Sequence, residues 1–283
     1  SKKFIEIDII CKILNKTLTI KKYKKVKELI SIVRYKNNDK FTKKISSLCN
    51  ARIVWGGDKS ISSIRKFPLN ERSIEITFAD RYSFCLIDSS KILKINNFDL
   101  KRLVEKFYND TYLVDQNACS SPHLVVWLGK NNIKAKEKFW NNLFDVVKMK
   151  YNLTETAAID KYNQLCENIF KLNNFNKQSN YKNYIHTNNL TSLNKNIHNL
   201  RGKWGYFYEF TTNNINDISK YVNNKYQTLT YFGIDKSDIK NFLTKNEISG
   251  IDRVVPIGRA LDMSFYWDGY DLNKVLSRIV DIR

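Results

Sequence analysis

Hydrophobic residues recur along this chain with two different spacings, and the two spacings alternate. Apolar positions at helical spacing predict helices at residues 4–14, 39–49, 59–66, 99–112, 134–151, 154–172, 237–243 and 272–282. Short β-branched and aromatic runs predict strands at residues 29–35, 51–55, 73–78, 83–88, 123–129, 204–210, 227–232 and 253–257. This alternation is typical of an α/β fold with a parallel sheet.

Two segments depart from the average pattern. Residues 123–129 are continuously apolar, which suits a strand that is buried on both faces of a sheet. Residues 173–199 are polar and rich in asparagine, with little periodicity, so we expect a surface excursion there.

The composition is that of a folded protein, and it excludes several classes. Of the 283 residues, 42% are hydrophobic and 27% are charged, which is the balance of a globular domain. No apolar run approaches the ~18 residues of a membrane-spanning helix, and no secretory leader is expected. The five cysteines are widely separated without a C-x-x-C pair, and the three histidines show no metal-ligand spacing. We therefore expect a reduced, cytoplasmic protein with no metal site and no membrane span.

The net charge is strongly positive, because 48 lysines and arginines face 28 acidic residues and give +20. Clustered basic residues bind nucleic acid by releasing counterions from its phosphates. Only residues 16–27 form a dense basic run, however, and the chain is also rich in asparagine and isoleucine. This pattern favours a compositional bias and a generally basic surface over a nucleic-acid interface. The same field would attract an anionic nucleotide or coenzyme.

Gly56 and Gly57 lie between a predicted strand and a predicted helix. At such a junction, backbone N–H groups and a helix N-terminus can approach a phosphate group. Two glycines can equally form a tight turn that requires positive φ angles. Both interpretations stay open from the residues alone.

Cys119 differs from the other cysteines in its setting. It lies in a polar loop between a predicted helix and the buried strand, and Pro122 holds the chain extended as it enters the sheet. Reactive residues are often found on loops that rigid elements position. A dyad with His123 is an alternative arrangement, although we expect His123 to be a partly exposed residue at the strand end.

Several segments carry motifs that belong together. They are DQNACSSP at 115–122 with VVW at 125–127, VWGGD at 54–58, FADRYSF at 78–84, YQTL at 226–229, GIDRVVPIGRALD at 250–262 and WDGYDL at 267–272. In this order they resemble the Lux-type acyl-CoA reductases (the LuxC family). This family is a branch of the aldehyde dehydrogenase superfamily and supplies aldehyde for bacterial luminescence. The resemblance covers residues 45–130 and 225–283, and the first motif matches the family's active-cysteine segment.

The resemblance implies an α/β fold of the aldehyde dehydrogenase type, with a partial Rossmann-like cofactor domain followed by an α/β catalytic domain. It also implies a fatty acyl-CoA reductase that uses NADPH and forms a long-chain aldehyde through an acyl-enzyme thioester. The implied site residues are Cys119 as the nucleophile, Asn117, Ser120 and the backbone of Cys119 around the oxyanion, and Trp55, Gly56 and Gly57 at the cofactor.

One position departs from the superfamily. Hydrolytic aldehyde dehydrogenases carry a glutamate base in the segment that matches residues 76–83, and that place falls near Thr77 here. Glu75 is two residues out of register. Without a base that activates water, an acyl-enzyme would survive long enough to be reduced. The departure therefore fits reduction of a thioester.

The family's chains are longer at the N-terminus, so this chain resembles their C-terminal portion. We expect a partial NADPH-binding domain at residues 1–114, a catalytic domain with the cysteine loop at 115–265, and a C-terminal helix at 266–283. The implied partners are an acyl-CoA or acyl-protein thioester, an acyl-protein synthetase, and further copies in an oligomer. Two alternatives stay open: a catalytically incompetent fragment of the family, and a basic nucleic-acid-binding module.

Overall fold

The computed structural model describes residues 5–35, 38–130 and 132–283. Its helices are α1 (Ile5–Leu18), α2 (Lys24–Leu29), α3 (Asp39–Leu48), α4 (Asp58–Arg65), α5 (Ser89–Lys94), α6 (Asn97–Thr111), α7 (Asn132–Lys150), α8 (Glu155–Lys171), α9 (Lys236–Lys245) and α10 (Leu272–Val275). Its strands are β1 (Ala51–Trp55), β2 (Ile74–Phe78), β3 (Tyr82–Asp88), β4 (Pro122–Leu128), β5 (Phe175–Tyr181), β6 (Ile185–Leu190), β7 (Tyr206–Thr212), β8 (Tyr226–Phe232), β9 (Arg253–Pro256), β10 (Tyr266–Trp267) and β11 (Tyr270–Asp271). Short 3-10 helices lie at Lys21–Tyr23, Tyr112–Val114, Ile197–Asn199 and Ile215–Tyr221.

The chain forms two compact units. The first contains the described residues up to Arg52 together with Ser62–Ile76, and the second contains Ile53–Ile61 together with the described residues from Thr77 onward. The predicted division into a cofactor domain (1–114) and a catalytic domain (115–265) concerns function and stays a prediction. The structure places β3 of the predicted first domain in the same sheet as β4, which follows the cysteine loop.

The first unit contains α1, α2 and α3. The helix expected at 39–49 is confirmed, and Asn38 caps it by accepting a hydrogen bond from the backbone N–H of Phe41. The strand expected at 29–35 is wrong: α2 extends to Leu29, and residues 30–35 have no regular structure. Apolar β-branched residues form a strand only when a neighbouring strand pairs with their backbone, and residues 30–35 have no such partner within the described parts of the chain.

The second unit is built on a seven-stranded sheet with the strand order β5-β6-β7-β4-β3-β8-β9. All neighbouring strands in it are parallel except β5 and β6, which form an antiparallel pair. The expected α/β fold with a parallel sheet is therefore confirmed. The expected strand at 123–129 is also confirmed, as β4, which lies in the middle of the sheet next to β3.

Side chains of β3 and β4 alternate between two apolar cores, as the two-residue period of a strand requires. Cys85 and Trp127 pack with residues of α6 and α7 on one face. Phe84 and Val126 pack on the other face, with residues of α8 and α9. Both faces of these central strands are therefore covered, which explains their continuous hydrophobicity.

Two expectations about irregular regions need correction. The asparagine-rich segment at 173–199 is not a simple surface excursion, because it contains β5 and the largely buried β6. Its polar side chains are compatible with burial when they are hydrogen bonded, as Asn188 is to the backbone carbonyl of Phe207 at 2.9 Å. The C-terminal helix is only α10, since residues 266–271 form the β10–β11 hairpin and residues after 275 are not helical. The apolar side chains of the last residues are exposed, with Ile279 97% accessible, so no buried face stabilises a longer helix.

Candidate active site

The loop that carries Cys119 is held in place by a buried glutamine. Asp115 and Gln116 adopt left-handed backbone angles, with φ of 53° and 59°. The Gln116 amide nitrogen donates to the carbonyl oxygens of Pro122 and Tyr206, each at 3.1 Å. Its oxygen accepts from the N–H groups of Gly205 and Tyr206, each at 3.2 Å. Gln116 is 0% exposed, so its side chain fixes the loop to β4 and β7 from within the protein.

The backbone of Cys119 is fixed to the neighbouring strands by Ser83. The Ser83 hydroxyl donates to the carbonyl oxygen of Cys119 at 2.7 Å and accepts from the backbone N–H of Thr228 at 3.1 Å. On the other side of the loop, the Ser121 hydroxyl donates to the carbonyl oxygen of Asp110 at 2.7 Å. Residues from β3, β8 and α6 therefore position the cysteine.

The sulfur of Cys119 has a side-chain hydrogen-bond donor. Nε2 of Gln227 lies 3.4 Å from Sγ and also donates to the carboxylate of Asp268. Burial raises the pKa of the Cys119 thiol; the Gln227 hydrogen bond and the backbone N–H groups of Cys119 and Ser120 lower it, and the Asp268 charge raises it. The net pKa is raised, so the resting group is mainly a thiol and the thiolate depends on these donors.

Cys119 opens into a cavity of about 340 Å³. The cavity is lined by Trp55, Gly56, Gly57, Phe78, Ala79, Asp80, Asn117, Ala118, Cys119, Ser120, Leu261, Met263 and Trp267. Every site residue expected from the sequence is among them, so the structure brings the cysteine loop and the glycine turn together. Its volume lies within the range of about 300–1,000 Å³ that small-molecule sites occupy.

Much of the cavity wall is aromatic. The rings of Trp55 and Phe78 are 5.1 Å apart in an edge-to-face arrangement, and Trp55 and Trp267 are 6.2 Å apart. The Arg253 guanidinium lies 4.4 Å from the Trp267 ring centroid, a cation–π contact. The guanidinium also donates to the carbonyl oxygen of Ala260 at 2.9 Å. Arg253 therefore packs against Trp267 and helps to hold this part of the cavity wall in place.

The glycine turn is not the positive-φ turn that the sequence left open, since neither Gly56 nor Gly57 has a positive φ. The Gly56 N–H donates to the carbonyl oxygen of Phe78 at 3.2 Å. A Cβ atom at Gly56 would lie 3.2 Å from Cβ of Ser60, whereas one at Gly57 would meet nothing within 4 Å. The backbone at Gly57 is therefore accessible to a ligand in the cavity.

His123 is not the partly exposed residue that we expected. It is 2% exposed, because it is part of β4 and its ring stacks on Tyr82 with 5.4 Å between centroids. Burial lowers the pKa of His123 to about 3, the charges of Arg201 and Lys203 lower it further, and the backbone of Gly202 acts in the opposite direction. The sulfur of Cys119 accepts its hydrogen bond from Gln227 and not from His123, so the geometry gives no support to a Cys–His dyad.

Among the described residues, no glutamate lines the cavity. Glu75, the glutamate nearest to Thr77 in sequence, pairs with Arg52 at 2.5 Å and with Arg65 at 2.7 Å. Asp80 is the acidic residue that lines the cavity within the described chain, and it pairs with Arg201 at 2.9 Å. Glu75 is thus engaged in a separate ion-pair cluster.

Sequence reasoning missed Ser83, Gln116, Gln227 and Asp268 as site residues. All four fall inside the motifs that carry the resemblance, but a motif does not show which side chain faces the sulfur or fixes the loop. Gln227 is 108 positions from Cys119 along the chain, and only the pairing of β8 with β3 brings it near.

The described residues contain no group of three His, Cys, Asp or Glu side chains arranged to hold a metal ion. None of the described helices combines the length and the apolarity that crossing a membrane requires.

Comparison with a protein-family model gives a match over residues 6–186, and the model is described as acyl-CoA reductase (LuxC). The match includes the cysteine loop and the glycine turn but ends before Gln227 and Asp268. No curated protein matches the sequence.

Comparison with solved structures gives aldehyde dehydrogenases. Aldehyde dehydrogenase 21 from Physcomitrella patens, in complex with the reaction product succinate, has a TM-score of 0.53 and 12% identity over 80% of this chain and 48% of its own. AldH from Staphylococcus aureus, in a substrate-bound state, has a TM-score of 0.51 and 10% identity over 78% of this chain and 49% of its own. An NAD-dependent aldehyde dehydrogenase from Sinorhizobium meliloti has a TM-score of 0.52 and 8% identity over 77% of this chain and 45% of its own. The fold is therefore of the aldehyde dehydrogenase type, and the chain spans about half the length of these structures.

Proposed function

The chain belongs to the LuxC family of acyl-CoA reductases, and we propose from this premise that it reduces a fatty acyl thioester to a long-chain aldehyde with NADPH. Cys119 is the proposed nucleophile. One observation carries the proposal: the sulfur of Cys119, held by a hydrogen bond from Gln227, opens into a cavity that also contains the glycine turn.

Acyl transfer is the first proposed step. Sγ of Cys119 attacks the acyl carbonyl carbon, a new carbon–sulfur bond forms, and the bond to the donor thiol breaks. The donor leaves as a free thiol and takes the proton that Cys119 gives up. A developing oxyanion needs a positioned donor, which typically contributes about 2.7–4 kcal/mol. We assign this role to the backbone N–H of Cys119, with Asn117 and Ser120 forming the surrounding loop.

The glycine turn fits the reactive end of a nicotinamide cofactor. Trp55 offers an aromatic surface that is 56% exposed, and the backbone of Gly57 is sterically open. We propose that Trp55, Gly56 and Gly57 hold this end against the cysteine loop. When bound, NADPH would supply the hydride that converts the Cys119 thioester into an aldehyde.

The surroundings of the acyl-enzyme favour reduction over hydrolysis. No glutamate is among the described residues that line the cavity, and Glu75 is engaged with Arg52 and Arg65. Asp80, the acidic residue among the described ones that line the cavity, is paired with Arg201, so its carboxylate is not free to act as a base on water. The thioester on Cys119 is expected to persist until hydride arrives.

Further features rest on the family alone and belong to the same proposal. The acyl donor is acyl-CoA or an acylated protein, an acyl-protein synthetase is a partner, and the chain works as an oligomer. Residues 1–114 supply part of the cofactor domain and residues 115–265 the catalytic domain.

The proposal is tested by the release of free coenzyme A. Mixing the protein with a long-chain acyl-CoA, without NADPH, should release about one free thiol per chain in a burst. Cys119→Ser should abolish the burst. Cys166→Ser is the matched control, because Cys166 is another partly exposed free cysteine, and its burst should be unchanged. A full burst from Cys119→Ser would refute the proposed nucleophile.

A further inference from the structure

The amide of Gln227 lies between the sulfur of Cys119 and the carboxylate of Asp268. Gln227 is 0% exposed at the start of β8, and Asp268 is 8% exposed in the β10–β11 hairpin. Nε2 of Gln227 donates to both partners, at 3.4 Å to Sγ and at short range to Asp268. Three separate segments of the chain thus meet at one amide group.

The surroundings determine which end of the amide faces the sulfur. An ionised carboxylate only accepts hydrogen bonds, so Asp268 must face the nitrogen of Gln227. The amide oxygen accepts a hydrogen bond from the Thr228 hydroxyl at 3.2 Å. With the oxygen and one N–H occupied, the second N–H is directed to the sulfur.

We propose that Gln227 is a catalytic residue that stabilises the thiolate of Cys119 with this N–H, and that Asp268 is a positioning residue that acts through Gln227. The proposal rests on the proposed function in one respect, the role of Cys119 as the nucleophile. It adds a residue that the family match does not cover, since that match ends at residue 186.

The same hydrogen bond serves two stages of the reaction. A thiolate is a strong acceptor, whereas the sulfur of a thioester is a weak one. The N–H of Gln227 therefore stabilises Cys119 before it attacks and again when the aldehyde leaves and the sulfur regains its charge. Because Gln227 is neutral at every pH, it provides this stabilisation without a proton transfer of its own.

The charged groups around the sulfur act in opposite directions. Asp268 faces it from the hairpin, and Arg253 interacts with it from β9. Asp252 and Arg81 interact with the charge of Asp268. The Asp268 charge disfavours the thiolate, whereas its hydrogen bond orients the donor that favours it. Its two effects can therefore be separated by a substitution that removes the charge and keeps an acceptor.

The test is the pH dependence of Cys119 alkylation by iodoacetamide, measured by mass spectrometry on the peptide that contains Cys119. Gln227→Leu should raise the apparent pKa of the thiol by about one unit, the size expected for one hydrogen bond to a charged group. Asp268→Asn should lower it, because an asparagine oxygen still accepts from Gln227 while the negative charge is gone. Gln178→Leu is the control, since Gln178 bonds to His186 instead, and it should leave the profile unchanged.

Opposite shifts in Gln227→Leu and Asp268→Asn support the proposal, because general damage to the site would shift both in one direction. An unchanged pKa in Gln227→Leu, or an upward shift in Asp268→Asn, overturns it. Gln227→Met replaces Gln227→Leu if the latter fails to fold, as judged by circular dichroism. The assay uses neither acyl-CoA nor NADPH, so a failure of the proposed function would appear separately, as an absent coenzyme A burst.

Discussion

Asp110 is a buried carboxylate that fixes the segment leading to the cavity wall. Its two oxygens accept from the backbone N–H of Gly258 at 2.6 Å and of Ala260 at 2.9 Å. Leu261, the next residue, lines the cavity at Cys119. Burial raises the pKa of Asp110 from 3.8 to about 7, while the two N–H groups act to lower it. Replacing it with asparagine removes the titration and one of the two acceptors.

The raised pKa makes stability depend on pH with a defined sign. The folded state binds the Asp110 proton more tightly than the unfolded chain does, so the free energy of unfolding falls as pH rises from 3.8 through about 7. One pKa unit corresponds to about 1.4 kcal/mol. Between pH 5 and pH 8 the native protein should lose about 2.5 kcal/mol through this group, since about two units of the shift fall in that interval.

The assay is urea unfolding of the native protein and of Asp110→Asn at several pH values from 5 to 8. The other titrating groups are shared by both proteins, so they cancel in the difference between the two free energies of unfolding. The advantage of the native protein over the variant should shrink by about 2.5 kcal/mol across this range. A difference that stays constant within about 0.5 kcal/mol would refute the reasoning, because it would mean that Asp110 titrates alike in both states.

Three further substitutions test other parts of the account. Gln116→Leu removes the acceptor of the buried Gly205 N–H and the donor to the carbonyl oxygens of Pro122 and Tyr206, so urea unfolding should show a loss of at least about 2 kcal/mol; an unchanged midpoint would contradict its role in the loop. Trp55→Leu should weaken NADPH binding about threefold to tenfold through lost ring contact, measured by energy transfer from tryptophan to NADPH, and equal affinity would argue against the cofactor site. Glu75→Gln breaks an ion-pair cluster outside the cavity, so it should lower stability by about 1–3 kcal/mol and leave the coenzyme A burst within about twofold of native. A lost burst in the folded variant would contradict this assignment of Glu75 to a structural ion-pair cluster.

The core of the fold could be predicted because its local pattern and its tertiary environment agree. The runs at 83–88 and 123–129 are mostly apolar, without the alternation of a half-exposed strand. They form the central strands β3 and β4, and both faces of these strands are covered. Cys119 could be identified as a candidate because a polar loop with a proline precedes such a strand. Cys119 lines one cavity together with Trp55, Gly56 and Gly57, and their roles stay predictions.

The failures occur where tertiary contacts outweigh local pattern. β6 has a polar sequence, yet pairing with β7 and hydrogen bonds such as that of Asn188 allow its burial. The run at 29–35 has a strand-like sequence but no partner strand within the described parts of the chain. The local sequence predicts His123 at the start of a strand, but it does not predict the stacking on Tyr82 that buries the ring. Gln227 approaches the sulfur only through the register of β8 on β3.

The central claim is that Cys119 carries the acyl group as a thioester. The most direct measurement is peptide mass spectrometry of the protein after incubation with a long-chain acyl-CoA, before and after neutral hydroxylamine, which cleaves thioesters. The account predicts one acyl group on the peptide that contains Cys119, removed by hydroxylamine and absent in Cys119→Ser. An unmodified Cys119, or acylation that continues at the same level in Cys119→Ser, would contradict it.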